Sequence, residues 1–250
     1  MKTYEEKYLY YAMIIGEYLL TGGAEVSRVE DTIIRICKAY GAERVDVFTI
    51  TACIVATIYG KDFGTCTQTR RIQSVRTDFT LLEKLNDLSR RICAEKPEFS
   101  RIQEELDAIL KTPGYSFPMQ LVTYALISGS FAVFFGGTWK DMIASAIIGL
   151  ILNCEEAALK KLHINFFVLA MLCSVIGGLC ANLFVSLGVG DYVDKISIGN
   201  IMLFIPGLAF TNAIRDMFKG DMVTGLIKFS ESILLAITIA LGFLLSGYLF

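Results

Sequence analysis

A proline–glycine pair interrupts an apolar run in the C-terminal half, and polar residues flank it on both sides. Pro206 lacks a backbone N–H and Gly207 permits an unwound turn, so a helix through this run is expected to break there. In a membrane, the second half of a broken helix presents a free N-terminus, where a carboxylate can bind. A proline kink that serves only helix packing would give the same pattern. The predicted substrate-binding residues are Asn200, Pro206, Gly207, Asn212, Arg215 and Asp216.

A second group of charged residues follows the broken run. Charges at membrane depth are costly and usually mark a transport pathway or a proton relay. Asp221, Lys228 and Glu231 are therefore predicted to form a proton relay or a gate. The alternative is an interfacial ion-pair network that orients two helices, and it is favoured for Lys228 because its long stem can reach the interface.

A third group lies near the N-terminus, where a helix is expected to begin. Its residues are Glu25, Ser27, Arg28, Glu30 and Asp31. Glu25 and Ser27 are expected to cap that helix, which is the common use of such residues there. A Ser-His-Asp hydrolase is excluded, because His163 is the only histidine and lies far outside this region. No catalytic residue is predicted, and the role of this group is left open.

The charged residues are distributed unevenly along the chain. Residues 1–115 hold 16 of the 23 Lys and Arg and 17 of the 25 Asp and Glu. Because the remainder would have almost no charged surface, a bilayer is its simplest solvent. We predict an α+β cytoplasmic domain, residues 1–112, followed by an all-α polytopic membrane domain, residues 113–250.

Composition also argues against several partners and cofactors. The net charge is near zero and no basic face stands out, which disfavours nucleic acid as a partner. The seven cysteines form no CxxC motif and have no His partners, which disfavours zinc. No metal site and no cofactor are predicted. Free thiols are typical of a reducing compartment, in agreement with a cytoplasmic domain.

The hydrophobic patterns predict the secondary structure of both halves. The first half should contain helices at 2–20, 24–40, 79–93 and 98–110, and strands at 45–51, 53–59 and 65–72. In the second half we predict about five transmembrane helices, of which the second is the weakest. Their ranges are 117–135, 141–158, 165–187, 197–214 and 224–250.

Loop charges predict the orientation in the membrane. With the first domain inside, Lys160, Lys161, Arg215 and Lys219 lie in internal loops, whereas the external loops carry only Lys140 and Lys195. An odd number of spans then leaves the C-terminus outside.

Two separated motifs resemble those of the threonine/serine exporter family. They are GAEVSRVEDTI at 23–33 and IPGLAFTNAIRD at 205–216, the latter followed by Gly220-Asp221 and Gly225. The resemblance covers essentially the whole chain and implies export driven by the proton motive force. Fused exporters of the family have about ten spans, so this chain, with about five, resembles the larger subunit of the split form. Members of the family are linked to export of threonine and serine or of succinate.

The sequence therefore predicts a subunit of a secondary transporter in the inner membrane that exports small carboxylate-bearing metabolites. Its expected partners are the lipid bilayer and a second, small membrane subunit, further copies of the chain, or both. Two alternatives remain open. The chain could be an accessory subunit that gates a channel formed by its partner, or a membrane-anchored enzyme whose chemistry lies in the first domain.

Overall fold

The computed structural model describes residues 3–61, 63–162 and 164–250, so His163 lies outside the described residues. Its residues fall into two compact units. The first contains the chain up to Pro113 together with Leu208–Phe229, and the second contains Gly114–Gly207 together with Ser230–Phe250. The domain boundary predicted at residue 113 stays a prediction.

The first unit combines helices with one small sheet, as the sequence predicted for the N-terminal region. The sheet is antiparallel, with its three strands in chain order. The elements are α1 (Tyr4–Thr21), α2 (Val26–Ala39), β1 (Arg44–Ile50), β2 (Cys53–Gly60), β3 (Gly64–Arg71), α3 (Phe79–Glu95) and α4 (Phe99–Leu110).

Helix α1 lies at the centre of this unit's hydrophobic core. Its buried residues face α2, α3 and the sheet, which explains why its apolar side chains are not confined to one stripe. Gly16 allows α2 to approach closely, because a Cβ atom there would lie 2.6 Å from Cδ1 of Ile33. The short apolar run of α1 is thus accounted for by a protein core.

The turn between α1 and α2 fixes where α2 begins. Gly23 has a φ of +89°, and a Cβ atom there would lie 3.3 Å from the Cα atom of Thr77. The backbone N–H of Asp78 donates to the carbonyl of Gly22 at 3.0 Å. A side chain at position 23 would therefore strain the backbone and meet the neighbouring segment.

The second unit is helical. It contains α5 (Phe117–Phe134), α6 (Trp139–Lys160), α7 (Phe166–Ser186), α8 (Val193–Ile201) and most of α10 (Met222–Leu249). In the part of the chain that the structure describes, four helices are long and apolar enough to cross a membrane: α5, α6, α7 and α10. The second predicted span, the weakest by sequence, is the 22-residue α6.

The fourth predicted span consists of two short helices. Residues 197–214 do not form one long helix, because α8 ends at Ile201 and α9 (Gly207–Phe218) begins six residues later. With 9 and 12 residues, neither helix is long enough to cross alone. The break at Pro206 and Gly207 agrees with the prediction, whereas the count of five spans is not confirmed.

Asp141 joins two loops at one end of the second unit. Its fully buried carboxylate accepts a hydrogen bond from the backbone N–H of Thr138, the N-cap residue of α6. The same carboxylate accepts the backbone N–H groups of Asp191 and Tyr192 at 2.7 and 3.0 Å. The start of α8 is thereby held beside the loop that connects α5 to α6.

Candidate functional site

A tight helical hairpin in the first unit carries the charged residues of the second motif. Helix α9 ends at Phe218, Gly220 takes a φ of +98°, and α10 begins at Met222. A Cβ atom at Gly225 would lie 2.4 Å from Cγ of Met217 and 2.8 Å from the carbonyl oxygen of Ala213. Glycine at this position lets the two helices pack backbone against backbone.

Two cations from this hairpin converge on one carboxylate at the start of α2. The Arg215 guanidinium and the Lys219 ammonium each form a salt bridge with Glu25, through different carboxylate oxygens. Lys219 Nζ also lies 3.3 Å from Oγ of Ser27. The contact brings together the two sequence motifs, whose residues 25 and 215 are 190 positions apart.

Glu25 does not cap α2 as predicted. It occupies the N-cap position, but its side chain makes no capping hydrogen bond. The physical reason is competition, since two cations attract the ionised carboxylate more strongly than one uncharged backbone N–H does. Hydrogen bonding from Lys219 lowers the pKa of Glu25, and Arg215 adds to this effect although burial opposes it.

Asp216, the neighbour of Arg215, forms a separate and buried ion pair. Its Oδ2 atom lies 2.8 Å from Nζ of Lys228. The Asp216 side chain is fully buried, and that of Lys228 is only 12% exposed. The other oxygen, Oδ1, is also buried and has no hydrogen-bond partner among the described residues. This pair joins α9 to α10 within the hairpin.

Glu30 and Asp221 add two acidic groups with raised pKa values. Burial raises the pKa of Glu30, and repulsion from Asp221 contributes, whereas the backbone N–H of Thr49 donates to Oε1 at 2.8 Å and opposes the shift. Burial likewise raises the pKa of Asp221, with repulsion from Asp216 adding to it. Both groups therefore bind protons more readily than ordinary surface carboxylates. The described residues contain no group of three or more His, Cys, Asp or Glu that could hold a metal ion.

The other residues of the first motif face a different side of α2. Arg28 and Asp31 line an open cleft of about 590 Å³ between α2 and α3. Asp31 pairs there with Arg35 at 2.7 Å. The first motif thus divides in two: Glu25, Ser27 and Glu30 interact with residues of the hairpin, whereas Arg28 and Asp31 do not take part in those contacts.

A family profile described as "Putative threonine/serine exporter" matches residues 10–249. The chain belongs to this family. It is 23% identical to a "Probable threonine/serine exporter" of Mycobacterium tuberculosis, over 93% of this chain and 44% of the relative. It is 25% identical to a "Threonine/serine exporter" of Corynebacterium glutamicum, over 88% and 46%. No solved structure matches the chain.

A further relative is matched over most of its own length. The chain is 24% identical to a "Probable succinate transporter subunit YjjP" of Escherichia coli K12, over 91% of this chain and 88% of the relative. This chain spans less than half the length of the two exporters. Family membership and the four long apolar helices identify a membrane protein of an exporter family, and its relatives are transporters rather than enzymes.

The structure distributes the predicted substrate-binding residues of this exporter-family chain over both units. Arg215 and Asp216 lie in the first unit, as does the half-buried Asn212. Asn200, Pro206 and Gly207 belong to the second unit. Asn200 is fully buried, and its Oδ1 atom has no hydrogen-bond partner among the described residues.

Glu231 and Lys219 have different neighbours from those that the sequence suggested. Glu231 is exposed and forms no ion pair in the described parts of the chain, and Lys228 pairs with Asp216 instead. Lys219, which the sequence placed only in an internal loop, is one of the two residues that bind Glu25. Its position four residues after Arg215, one helical turn further, was the available signal.

Proposed function

We propose that this chain is a subunit of a secondary transporter that exports small carboxylate-bearing metabolites, either threonine and serine or a dicarboxylate such as succinate. The names of its relatives support both substrate classes. The common chemical feature of these substrates is a carboxylate, so a site that holds carboxylates is the central requirement.

One observation carries the proposal: Arg215 and Lys219 hold the same carboxylate, that of Glu25. The side chains of Arg215 and Lys219 are 54% and 44% exposed, so a dissolved molecule can reach them. A substrate carboxylate would replace Glu25 on these cations and form the same charge-assisted bonds. The residues Asn200, Pro206, Gly207, Asn212 and Asp216 remain part of the proposed site.

The proposed membrane topology has the N-terminal domain in the cytoplasm of an inner-membrane protein and the C-terminus outside. Asp141 holds the start of α8 beside the loop where α5 ends, which this topology places outside. Arg215 at the end of α9 contacts Glu25 of the cytoplasmic domain. Residues 197–214 are proposed to form the fourth of five crossings.

We further propose that the transport pathway is completed by a second membrane subunit, by further copies of this chain, or by both. The relative from Escherichia coli is named a transporter subunit, and the two exporters are about twice as long as their matched part. Export is proposed to be driven by the proton motive force. Asp221, with its raised pKa, is the member of the predicted relay best suited to exchange a proton.

The direct test is uptake of labelled threonine, serine or succinate into inverted membrane vesicles that contain the partner subunit. Arg215→Ala is expected to raise KM or lower the rate by about tenfold or more, because a hydrogen bond to a charged group contributes about 1.5–3 kcal/mol. Unaltered KM and rate would remove Arg215 from the site.

Arg101→Ala is the matched control, since Arg101 is also an arginine of the first unit in an exposed ion pair. It should leave transport unchanged. Reconstitution of the chain without its partner tests the subunit role: full transport by the chain alone would contradict the need for a second protein.

A further inference from the structure

Two adjacent glutamates near the end of α6 lie in very different surroundings. Glu156 is fully satisfied, because it accepts a hydrogen bond from the Tyr124 hydroxyl and lies 2.6 Å from Nζ of Lys160. Within the described residues Glu155 has no ion pair, and neither of its two buried carboxylate oxygens accepts a hydrogen bond from an N–H or O–H group. The Cys173 thiol, a weak donor, is the polar group that interacts with it.

Among the residues that the structure describes, the neighbours of Glu155 offer no positive charge to balance it. The thiols of Cys173 and Cys180 on α7 are the titratable groups that interact with it. Lys160, one turn further along α6, is paired with Glu156. The buried residues of α8, Ile196, Gly199 and Asn200, are all uncharged. An ionised carboxylate in this position would be buried without a partner, which costs several kcal/mol.

A second buried acceptor lies on the same stretch of helix. Asn153 is 3% exposed, and its Oδ1 atom also lacks a hydrogen-bond partner among the described residues. Native proteins leave few buried polar atoms unsatisfied, so two residues this close with three such atoms call for an explanation. The segment belongs to one of the four candidate membrane helices, and Glu155 lies about 7–8 Å along the axis from its last residue, Lys160.

We propose that Glu155 is a proton-binding site within the membrane helices, which takes up and releases one proton during each transport cycle. This inference rests on the proposed function. A proton fits the surroundings better than a metal ion, since the described residues offer no cluster of three ligating side chains. Protonation removes the buried charge, and release of the proton to water on either side restores it.

Carbodiimide labelling tests the site without any transport assay. Dicyclohexylcarbodiimide reacts with protonated carboxyl groups in apolar surroundings, and mass spectrometry locates the modified residue. In the full chain in lipid vesicles near neutral pH, we expect about tenfold more labelling at Glu155 than at Glu156, falling as the pH is raised. Glu155→Gln should abolish this labelling and Glu156→Gln should retain it. Equal labelling of both residues, or none at Glu155 at mildly acidic pH, overturns the proposal.

Transport by the chain with its partner tests the role in coupling. Glu155→Gln is expected to keep exchange of substrate for substrate but to lose acceleration by an imposed pH gradient, whereas Glu156→Gln keeps both. A Glu155→Gln variant that still responds to the gradient, or that loses exchange as well, overturns the coupling role. If the wild type transports none of the proposed substrates, the proposed function fails, and the labelling result alone decides whether Glu155 binds a proton.

Discussion

Arg215 and Asp216 are consecutive residues of α9, yet their ion pairs have opposite character. Arg215 is more than half exposed and binds Glu25 of the first motif. Asp216 is fully buried and pairs with Lys228 of α10. Successive residues of a helix point about 100° apart, so one faces solvent and the start of α2 while the other faces the inside of the hairpin.

The comparison distinguishes an ion pair that stabilises the fold from an ion pair whose partners can be exchanged. A buried ion pair contributes little net stability but becomes very costly when one partner is removed, because the other charge stays buried alone. An exposed pair contributes little and can exchange partners readily, because water solvates the released charges. The buried pair is therefore expected to maintain the hairpin, and the exposed cluster is suited to exchanging Glu25 for a substrate.

The largest effect is expected from Lys228→Met, which leaves Asp216 buried without its cation. Its free energy of unfolding should fall by about 3–5 kcal/mol, as measured by denaturant unfolding of the full chain in detergent. The double variant Asp216→Asn/Lys228→Met should recover most of this loss. Lys38→Met, at an exposed position, should change stability by no more than about 0.5 kcal/mol. A loss as small as that for Lys228→Met would contradict the structural role of the buried pair.

The next largest effect should come from Gly225→Ala, since the added methyl group would meet the backbone of α9. We expect a loss of about 1–3 kcal/mol in the same unfolding measurement. Gly247→Ala is the matched control in the same helix, because a Cβ atom there has nothing within 4 Å. Equal stability of the two variants would show that the hairpin does not depend on the close approach of α9 to α10 at Gly225.

Glu25→Gln tests the exposed cluster. The loss of stability should be about 1 kcal/mol or less, because both cationic partners are about half exposed to solvent. Since Glu25 competes with substrate in the proposed site, KM for export should fall by up to about fivefold, as 1 kcal/mol corresponds to that factor. A raised KM would mean that Glu25 positions the cations for the substrate instead of competing with it.

The contribution of Glu25 should also depend on pH. Its pKa is lowered in the folded protein, so the folded state binds fewer protons than the unfolded state in the acidic range. The contribution is therefore complete above the usual pKa of glutamate and is lost as the pH falls through the lowered value. The stability difference between the wild type and Glu25→Gln should shrink in that range, and a difference that grows there would contradict the assignment.

The smallest effect is expected from Arg28→Ala. Arg28 is exposed, and no ion pair is recorded for it within the described residues, so stability should change by no more than about 0.5 kcal/mol. The check is to measure the free energy of unfolding of this variant and of Arg215→Ala under the same conditions. A loss above 1 kcal/mol would show that the arginine stabilises the cleft between α2 and α3.

Much of the local structure could be predicted from the sequence, because it depends on neighbouring residues. The apolar runs at 117–135, 141–158, 165–187 and 224–250 match four long helices to within a few residues. The three strands and the break at Pro206 were predicted from local patterns as well. The run at 197–214 was the exception, because neither of its two helices, of 9 and 12 residues, is long enough to cross a membrane alone.

The contacts of the candidate site could not be predicted in the same way. The sequence indicated polar residues near positions 25 and 215. The residue preferences of helix N-caps, however, predicted that Glu25 would cap its own helix. A partner 190 residues away changes that outcome, because two cations outcompete one backbone N–H. Glu155 and Glu156 are identical residues in adjacent positions. Only the helices packed around them give Glu156 a hydroxyl donor and leave Glu155 without an N–H or O–H donor among the described residues.

The sequence by itself thus determined that this chain lies in a membrane, which segments are helical, where one helix breaks and which family it belongs to. Each of these depends on composition, periodicity or a contiguous motif. The tertiary structure alone decided which charges meet: Glu25 with Arg215 and Lys219, and Asp216 with Lys228. The physical reason is that a charge takes its partner from whatever the fold brings within a few ångströms, and that distance is unrelated to separation along the chain.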